Sequence, residues 1–500
     1  MKSHLRPKRI FLFVLLPILV ASIARAEVPN GLARDCGCLP SVPLMPPLPH
    51  YAELGRTTVG CAALLPGPGP TLPVDGAYGY VRFSHVAAGD NPGDHQWHDF
   101  NFYVAYDRDY RYLNSDGNYS NRNSFLDCID PGLQRCPTPY DEHSVRGERL
   151  MEIEWDMTYF PERFWPQVGD RVWLLGRYIW DCGHTDGGYH NEIHPPTAVA
   201  FTRPETNSDL LQGTTGPVNK TYVYIHGKSG ISCLFDDYLD TSVAKRNYNF
   251  TIPLPPAPAT GTPFAEVVEL PYGGPAPKLT IAPNNREVLV HYPLRLGDPS
   301  PNRRFGAVIA TGWRNATPAI TYRNLQVNVQ KLRIRKRHGV LCQTDWNLWL
   351  NVNGNWTKIQ NTFGLLDGTE IRIDKTFNIS VPDDDRSRLF IQITGWVASY
   401  DQAFGSRMGP VELAGKFPSL SNLFAKDGFE DSTDNGKIGL FFRRYTRDAN
   451  GFGVGVPFGE ENGRGDRSDM FREVDLVEKP PPNIQSTIGD FEVFYTINNR

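Results

Sequence analysis

Beyond its first 26 residues, the chain has no apolar run near the ~20 residues that a membrane-spanning helix needs. It has no basic excess: 51 Lys and Arg stand against 55 Asp and Glu, a net charge of −4. The first 26 residues hold five basic and no acidic side chains, so their removal moves the balance to −9. An acidic chain argues against nucleic acid as a partner, because generic binding to phosphates rests on basic patches. Short catalytic signatures are missing too: there is no H-E-x-x-H, no G-x-S-x-G and no Walker loop. The familiar zinc-protease, serine-hydrolase and P-loop machineries are thereby excluded. Helical periodicity is scarce. Only 411–426 reads as partly helical, and Pro418 interrupts it. No fixed-period repeat is present.

The start of the chain has the form of an export signal. Lys2, Arg6, Lys8 and Arg9 precede an apolar stretch over 10–24, and Ala24-Arg25-Ala26 offers small residues for cleavage. The expectation is a secreted or periplasmic protein with a signal peptide at 1–26 and no transmembrane segment after cleavage. All eight cysteines (36, 38, 61, 128, 136, 182, 233 and 342) follow the signal, and an even count in an exported chain favours disulfides. Cys128 and Cys136 sit close together among Asp-Pro-Gly and Pro-Thr-Pro turns and are expected to pair. Residues 27–78 are rich in Pro and Gly and read as an extended arm.

From 79 onward the pattern is one of strands. Residues 79–86, 99–107, 151–156, 171–180 and the stretch from the end of a 181–189 turn to 201 make five, with a short turn or helix between the third and fourth. The stretch 171–180 is apolar on both faces, which suits a strand buried from both sides. That count and order match a five-stranded OB-type barrel over 79–203. More strands follow in a β-rich middle region at 204–320. Clean alternation over 321–400 continues into a C-terminal β-sandwich, 321–500. The fold class is therefore all-β: an OB-like five-stranded barrel followed by β-sandwich domains, the latter reminiscent of C2-like sandwiches.

Three segments carry a resemblance: H-Q-W-H-D-F (95–100), G-D-R-V-W-L-L-G-R-Y-I-W (169–180) and G-G-Y-H-N-E-I-H-P-P (187–196). Together they resemble a family of small exported bacterial OB-like domains of uncharacterised function. That family shows a His-Gln pair before a strand, a Gly-Asp-x-Val segment and a His-containing closing strand. The likeness spans about 120 residues and implies a fold rather than an activity. The chain departs from it at the long 108–149 insertion and at Glu192 among the histidines.

Seven of the twelve histidines lie between 85 and 194. His98, Asp181, His184, Glu192 and His194 are the candidate site, expected to converge at one end of the barrel. Pro195 and Pro196 supply no ladder donors, so regular pairing is expected to end there and leave His194 near a rim. Imidazoles with carboxylates suit zinc or another divalent cation. Positions 190, 192 and 194 span roughly 13 Å of strand, too far for one ion, so a metal would draw ligands from several segments. The same groups can equally satisfy one another at the barrel mouth without any metal. His190-Asn191-Glu192 matches half of a zinc-deaminase motif, but no P-C-x-x-C follows. Calcium ranks behind zinc. Its candidates are the loop acids Asp383-Asp384-Asp385 and Asp427, Glu430, Asp431 and Asp434, none with EF-hand spacing. His226-Gly227 has a faint likeness to an oxyanion loop, and a turn after a strand accounts for it better. The sequence thus supports an exported modular binding protein, taking an unidentified ligand or cell-envelope partner. The alternative is a metal-dependent hydrolase using the same cluster.

Overall fold

A computed structural model describes residues 76–86, 99–114, 150–157, 159–181, 190–206, 216–226, 228–229, 238–239, 247–294, 304–335, 344–399, 441–455, 460–461 and 491–500. Strands dominate them. The described helical pieces are two 3-10 turns, Arg108–Asn114 and Glu162–Phe164. Residues 27–75 of the N-terminal arm, the Cys128–Cys136 loop and the segment 411–426 lie outside the described residues, while Ala77 and Tyr78, expected in the arm, belong to the first strand.

Five strands pair in a circuit. They are β1 (Ala77–Val86), β2 (Asp99–Tyr106), β3 (Leu150–Asp156), β4 (Arg171–Asp181) and β5 (His190–Pro204). β1 pairs with β2, β2 with β3, β3 with β5, β5 with β4, and β4 returns to β1. All these pairings are antiparallel except β3–β5, which is parallel through Glu152↔Glu192 and Ile153↔Ile193. This is the five-stranded ring of the OB-type expectation. Alternation explains it: Phe100, Phe102 and Val104 of β2, Met151, Ile153 and Trp155 of β3, and Val172 and Leu174 of β4 fill one core with Ile193, Val199 and Phe201 of β5. The expectation for 171–180 holds along its first half: 171–174 pair with both β1 and β5, and Val172 to Leu175 are buried.

Two details shape the ring. Pro195 and Pro196 lack amide donors, and the β4–β5 register shifts around Gly176↔Pro196 before resuming at Leu175↔Ala198. The strand is bent there rather than ended. Gly169, at φ 87°, donates its amide to Val81 O at 2.8 Å, and Asp170 O accepts from Val81 N at 2.9 Å. The Gly-Asp-Arg-Val segment is thus a turn stitched to β1 beside its own register shift at Val81/Phe83.

Gly79 faces paired strands on both sides, across from Tyr106 and Val172. A Cβ there would lie 2.4 Å from Ala105 O and 2.6 Å from Val104 Cγ1. Gly79→Ala is therefore expected to destabilise by about 1–3 kcal/mol through overpacking. A urea midpoint equal to wild type would contradict the close approach.

The second half of β5 also pairs with β6 (Val218–His226). The two-residue strands β7 (Lys228–Ser229) and β8 (Tyr238–Leu239) follow. Then come β9 (Asn247–Pro253), β10 (Thr260–Glu269), β11 (Lys278–Ile281), β12 (Glu287–Pro293) and β13 (Arg304–Thr317). β6, β13 and β10 extend the barrel sheet, while β11, β12 and β9 form a separate three-stranded sheet. The two sheets bury Trp173, Ala200, Val223, Phe250, Val290 and Ile309 between them.

The C-terminal strands are β14 (Tyr322–Ile334), β15 (Thr344–Val352), β16 (Asn355–Leu365), β17 (Glu370–Pro382), β18 (Arg388–Ser399), β19 (Phe441–Thr446), β20 (Glu460–Glu461) and β21 (Phe491–Asn499). They form two four-stranded sheets, ordered β17-β14-β21-β20 and β16-β15-β18-β19. Alternate residues of both, among them Val327, Leu348, Ile391 and Val493, fill the core between them.

A seam joins barrel to sandwich. Trp165 stacks on Phe100 with centroids 4.2 Å apart and meets Trp349 and Trp356 at 5.7 and 5.3 Å. Trp349 Nε1 donates to Glu162 Oε1 at 2.6 Å, and Val86 N donates to Thr394 Oγ1 at 3.0 Å. Gln392 Nε2 donates to Ser84 O, so β18 lies along the end of β1.

Candidate binding site

The face of the barrel opposite its core carries polar groups where β1, β2 and β3 run side by side. On β2, Asn101 and Tyr103 alternate with the core residues Phe100, Phe102 and Val104. On β3, Glu152 and Glu154 alternate with Met151, Ile153 and Trp155. Cross-strand register sets Asn101 opposite Glu154 and Tyr103 opposite Glu152. The hydrogen bonds follow from that register. Asn101 Nδ2 donates to Glu152 Oε1 at 3.0 Å and to Glu154 Oε1 at 2.9 Å, and Tyr103 OH donates to Glu152 Oε1 at 2.6 Å.

β1 completes the cluster. His85 is the register partner of Asn101, and its ring stacks on Tyr103 at 5.9 Å with an interplanar angle of 12°. His85 Nδ1 lies 3.0 Å from Val86 O, a contact in which Nδ1 must donate. All five side chains are buried, with 1–5% of their surface exposed. Two carboxylates on one amide orient that amide: Nδ2 faces both, and Asn101 Oδ1 is left buried with no hydrogen-bond partner among the described residues. Buried acceptors without partners are rare enough that each calls for a reason.

Of the residues expected from sequence, three have their backbone placed. Asp181 ends β4 and is the register partner of His190. Glu192 lies between Ile179 of β4 and Glu152 of β3, which brings it to the edge of the Asn101 cluster. His194 lies on β5 just before the Pro195–Pro196 bend. His98 and His184 lie outside the described residues, as do Cys128 and Cys136. Among the described residues, no group of three or more His, Cys, Asp or Glu side chains is placed to hold a metal ion.

Sequence reading missed His85, Asn101, Tyr103, Glu152 and Glu154 as a site. The signal was there in D-F-N-F-Y and M-E-I-E-W, where polar residues alternate with apolar ones. Their convergence depends on which strands pair, and alternation does not encode that.

The other candidates that are described resolve into packing and ion pairs. Asp383 pairs with Arg323 at 3.1 Å and with Arg447 at 2.8 Å, and Asp385 meets Arg447 at 3.4 Å. Asp384 Oδ1 accepts from Arg386 N and Ser387 N at 2.9 and 2.7 Å, an Asx turn. These acids meet guanidinium and amide groups rather than forming an open cage of oxygens. Asp427, Glu430, Asp431 and Asp434 lie outside the described residues. His226 is wholly buried on β6, its ring 5.6 Å from Tyr159 and 6.0 Å from Tyr224.

A second buried polar centre lies at the seam. Asp170 and Arg203 form an ion pair of 2.6 Å with 1% and 5% of their side-chain surface exposed. Burial pushes the Asp170 carboxyl up to about 7, against the opposing pull of Arg203 and of the Gln167 amide. Burial likewise raises the Tyr224 phenol well above its ordinary value, with neighbouring Tyr272 adding to the shift. No family model, curated protein or solved structure matches the chain.

Proposed function

We propose that the chain is an exported binding protein whose β1–β3 polar cluster, buried in the described structure, becomes accessible to a hydrogen-bond-donating ligand, a hydroxyl-rich or amine-bearing oligosaccharide. The observation that carries this reading is Asn101: its Nδ2 is held by two carboxylates, and its buried Oδ1 accepts no hydrogen bond from any described residue. A ligand hydroxyl or ammonium is the donor that oxygen lacks. Glu152, Glu154 and the His85–Tyr103 ring stack around it suit sugars, which offer both donors and an apolar ring face. The corresponding strands 2–3 of OB barrels are a surface that takes oligonucleotides and oligosaccharides, and the carboxylates here disfavour phosphates.

Isothermal titration with cellotetraose and a chitosan tetramer tests the reading, with a short oligonucleotide as the negative control. Asn101→Ala is expected to weaken oligosaccharide binding about tenfold or more, the loss of one or two buried hydrogen bonds. Equal affinity for wild type and variant, or preference for the oligonucleotide, would overturn it. A metal-dependent hydrolase is the second reading, favoured by one observation: Glu192 and Glu152 are register partners on adjacent strands. Stoichiometric zinc in protein purified without chelator, lost in Glu152→Gln, would move the assignment there.

A further inference from the structure

We propose that the outer face of the sheet holding β17, β14 and β21 is a second binding surface, one that takes an uncharged, hydroxyl-rich polysaccharide along rows of amide and hydroxyl side chains. Alternation builds the face. Leu325, Val327 and Val329 of β14 and Tyr495 and Ile497 of β21 point into the sandwich core, so the residues between them point out. Cross-strand register aligns those residues in rows. Asn378, Gln326 and Asn498 form one row, and Thr376, Asn328 and Thr496 form the next. All six are exposed or half-buried. Neighbouring strands lie about 4.8 Å apart and successive rows about 7 Å apart, so the six cover a patch about 10 Å wide.

The chemistry of the face selects the occupant. Each Asn or Gln amide offers two donors and an acceptor, and each Thr hydroxyl both donates and accepts. A sugar hydroxyl also does both, so it complements either group. The bonds within the face compete little. Gln326 Nε2 donates to Asn378 Oδ1 and Asn498 Nδ2 to Thr496 Oγ1, both at 3.5 Å, well beyond the usual length. None of the six side chains carries a charge. The rows beyond them do, but their charges meet one another. Glu370 pairs with Lys331 at 2.7 Å and with Arg333 at 2.8 Å, and Glu492 pairs with Arg333 at 3.2 Å and with Arg335 at 2.9 Å. An anionic polymer would have to displace those carboxylates, whereas a neutral one need not.

The aromatic ring in the adjoining row, Phe494, is 7% exposed and lies under Lys331 Nζ and Arg333 Cζ, 4.8 and 5.0 Å from its centroid. It offers no open ring to a sugar. Recognition therefore rests on hydrogen bonds made in competition with water, each of them weak. A polymer engages many such points at once, and that is why a polysaccharide fits this face better than a short sugar. The seam with the barrel runs through Trp349, Gln392 and Thr394 of the other sheet, which leaves this one facing outward.

Native electrophoresis of the full chain through gels containing hydroxyethyl cellulose, glucomannan or arabinoxylan tests the surface, with alginate as the anionic comparison. Retardation is expected in at least one neutral gel, and less of it in alginate. The triple variant Gln326→Ala/Asn378→Ala/Asn498→Ala is expected to weaken the apparent affinity about tenfold or more, through the loss of several hydrogen bonds. Should that variant fail to fold, Asn378→Ala alone, at an exposed position, is expected to weaken it about threefold. The surface stands apart from the barrel cluster, whose own test uses short oligosaccharides and Asn101→Ala. Migration unaffected by all three neutral polymers overturns the proposal. So does retention that the variants keep in full, or stronger retention in alginate.

Discussion

Arg203→Met is expected to destabilise the protein by about 3–5 kcal/mol, because it leaves a wholly buried carboxyl without its cation. Met keeps most of the volume of the aliphatic stem, so the loss reports charge rather than a cavity. Guanidinium denaturation at pH 8, where Asp170 would otherwise be ionised, gives the largest effect. The double variant Asp170→Leu/Arg203→Met is expected to recover most of that loss, since replacing both charges by apolar groups is often neutral. A double variant as unstable as the single one would show that packing of Arg203 against Gly354 of the sandwich, not the pairing of charges, is what the site requires.

Trp165→Ala has a comparable expected cost, about 3–5 kcal/mol, but a different signature. Trp165 is 1% exposed and touches Phe100 of the barrel together with Trp349 and Trp356 of the sandwich. Its Nε1 donates to Phe160 O at 2.8 Å, so truncation leaves a buried carbonyl unpaired as well as a cavity. Because the residue lies in the seam, its loss is expected to split calorimetric unfolding into two transitions. Trp155→Ala removes the same side chain from inside the barrel, where it stacks on Phe160 at 4.7 Å. That change is expected to lower the barrel transition without separating the two. A single unsplit transition in Trp165→Ala would mean that the polar contacts along β18 suffice to couple barrel and sandwich.

Much of the barrel was legible in the chain because its strands alternate strictly. Phe100, Phe102 and Val104, or Met151, Ile153 and Trp155, can share a face only as strands, and burying five such faces on one another closes a ring. By residue type alone, Pro195 and Pro196 predict the end of regular pairing in the closing strand. The structure instead bends the strand there, because a register shift accommodates residues without amide donors and pairing resumes beyond. The candidate site was less legible. His98, Asp181, His184, Glu192 and His194 stand out by residue type, whereas Asn101, Tyr103, Glu152 and Glu154 look like the ordinary polar half of an alternating strand.

What the sequence determined by itself is therefore local: all-β character, strand positions and which residues of each strand share a face. These follow from steric preference and side-chain period, which act over a few residues. The tertiary structure alone decided that β3 runs parallel beside β5, so that position 192 meets Glu152. It likewise decided that Asn101 bridges two carboxylates, and that Arg203 reaches Gly354 more than a hundred positions away. Those partners are chosen by strand register and by the fit of one packed surface on another. Both are collective properties of residues far apart in the chain, and local pattern does not carry them.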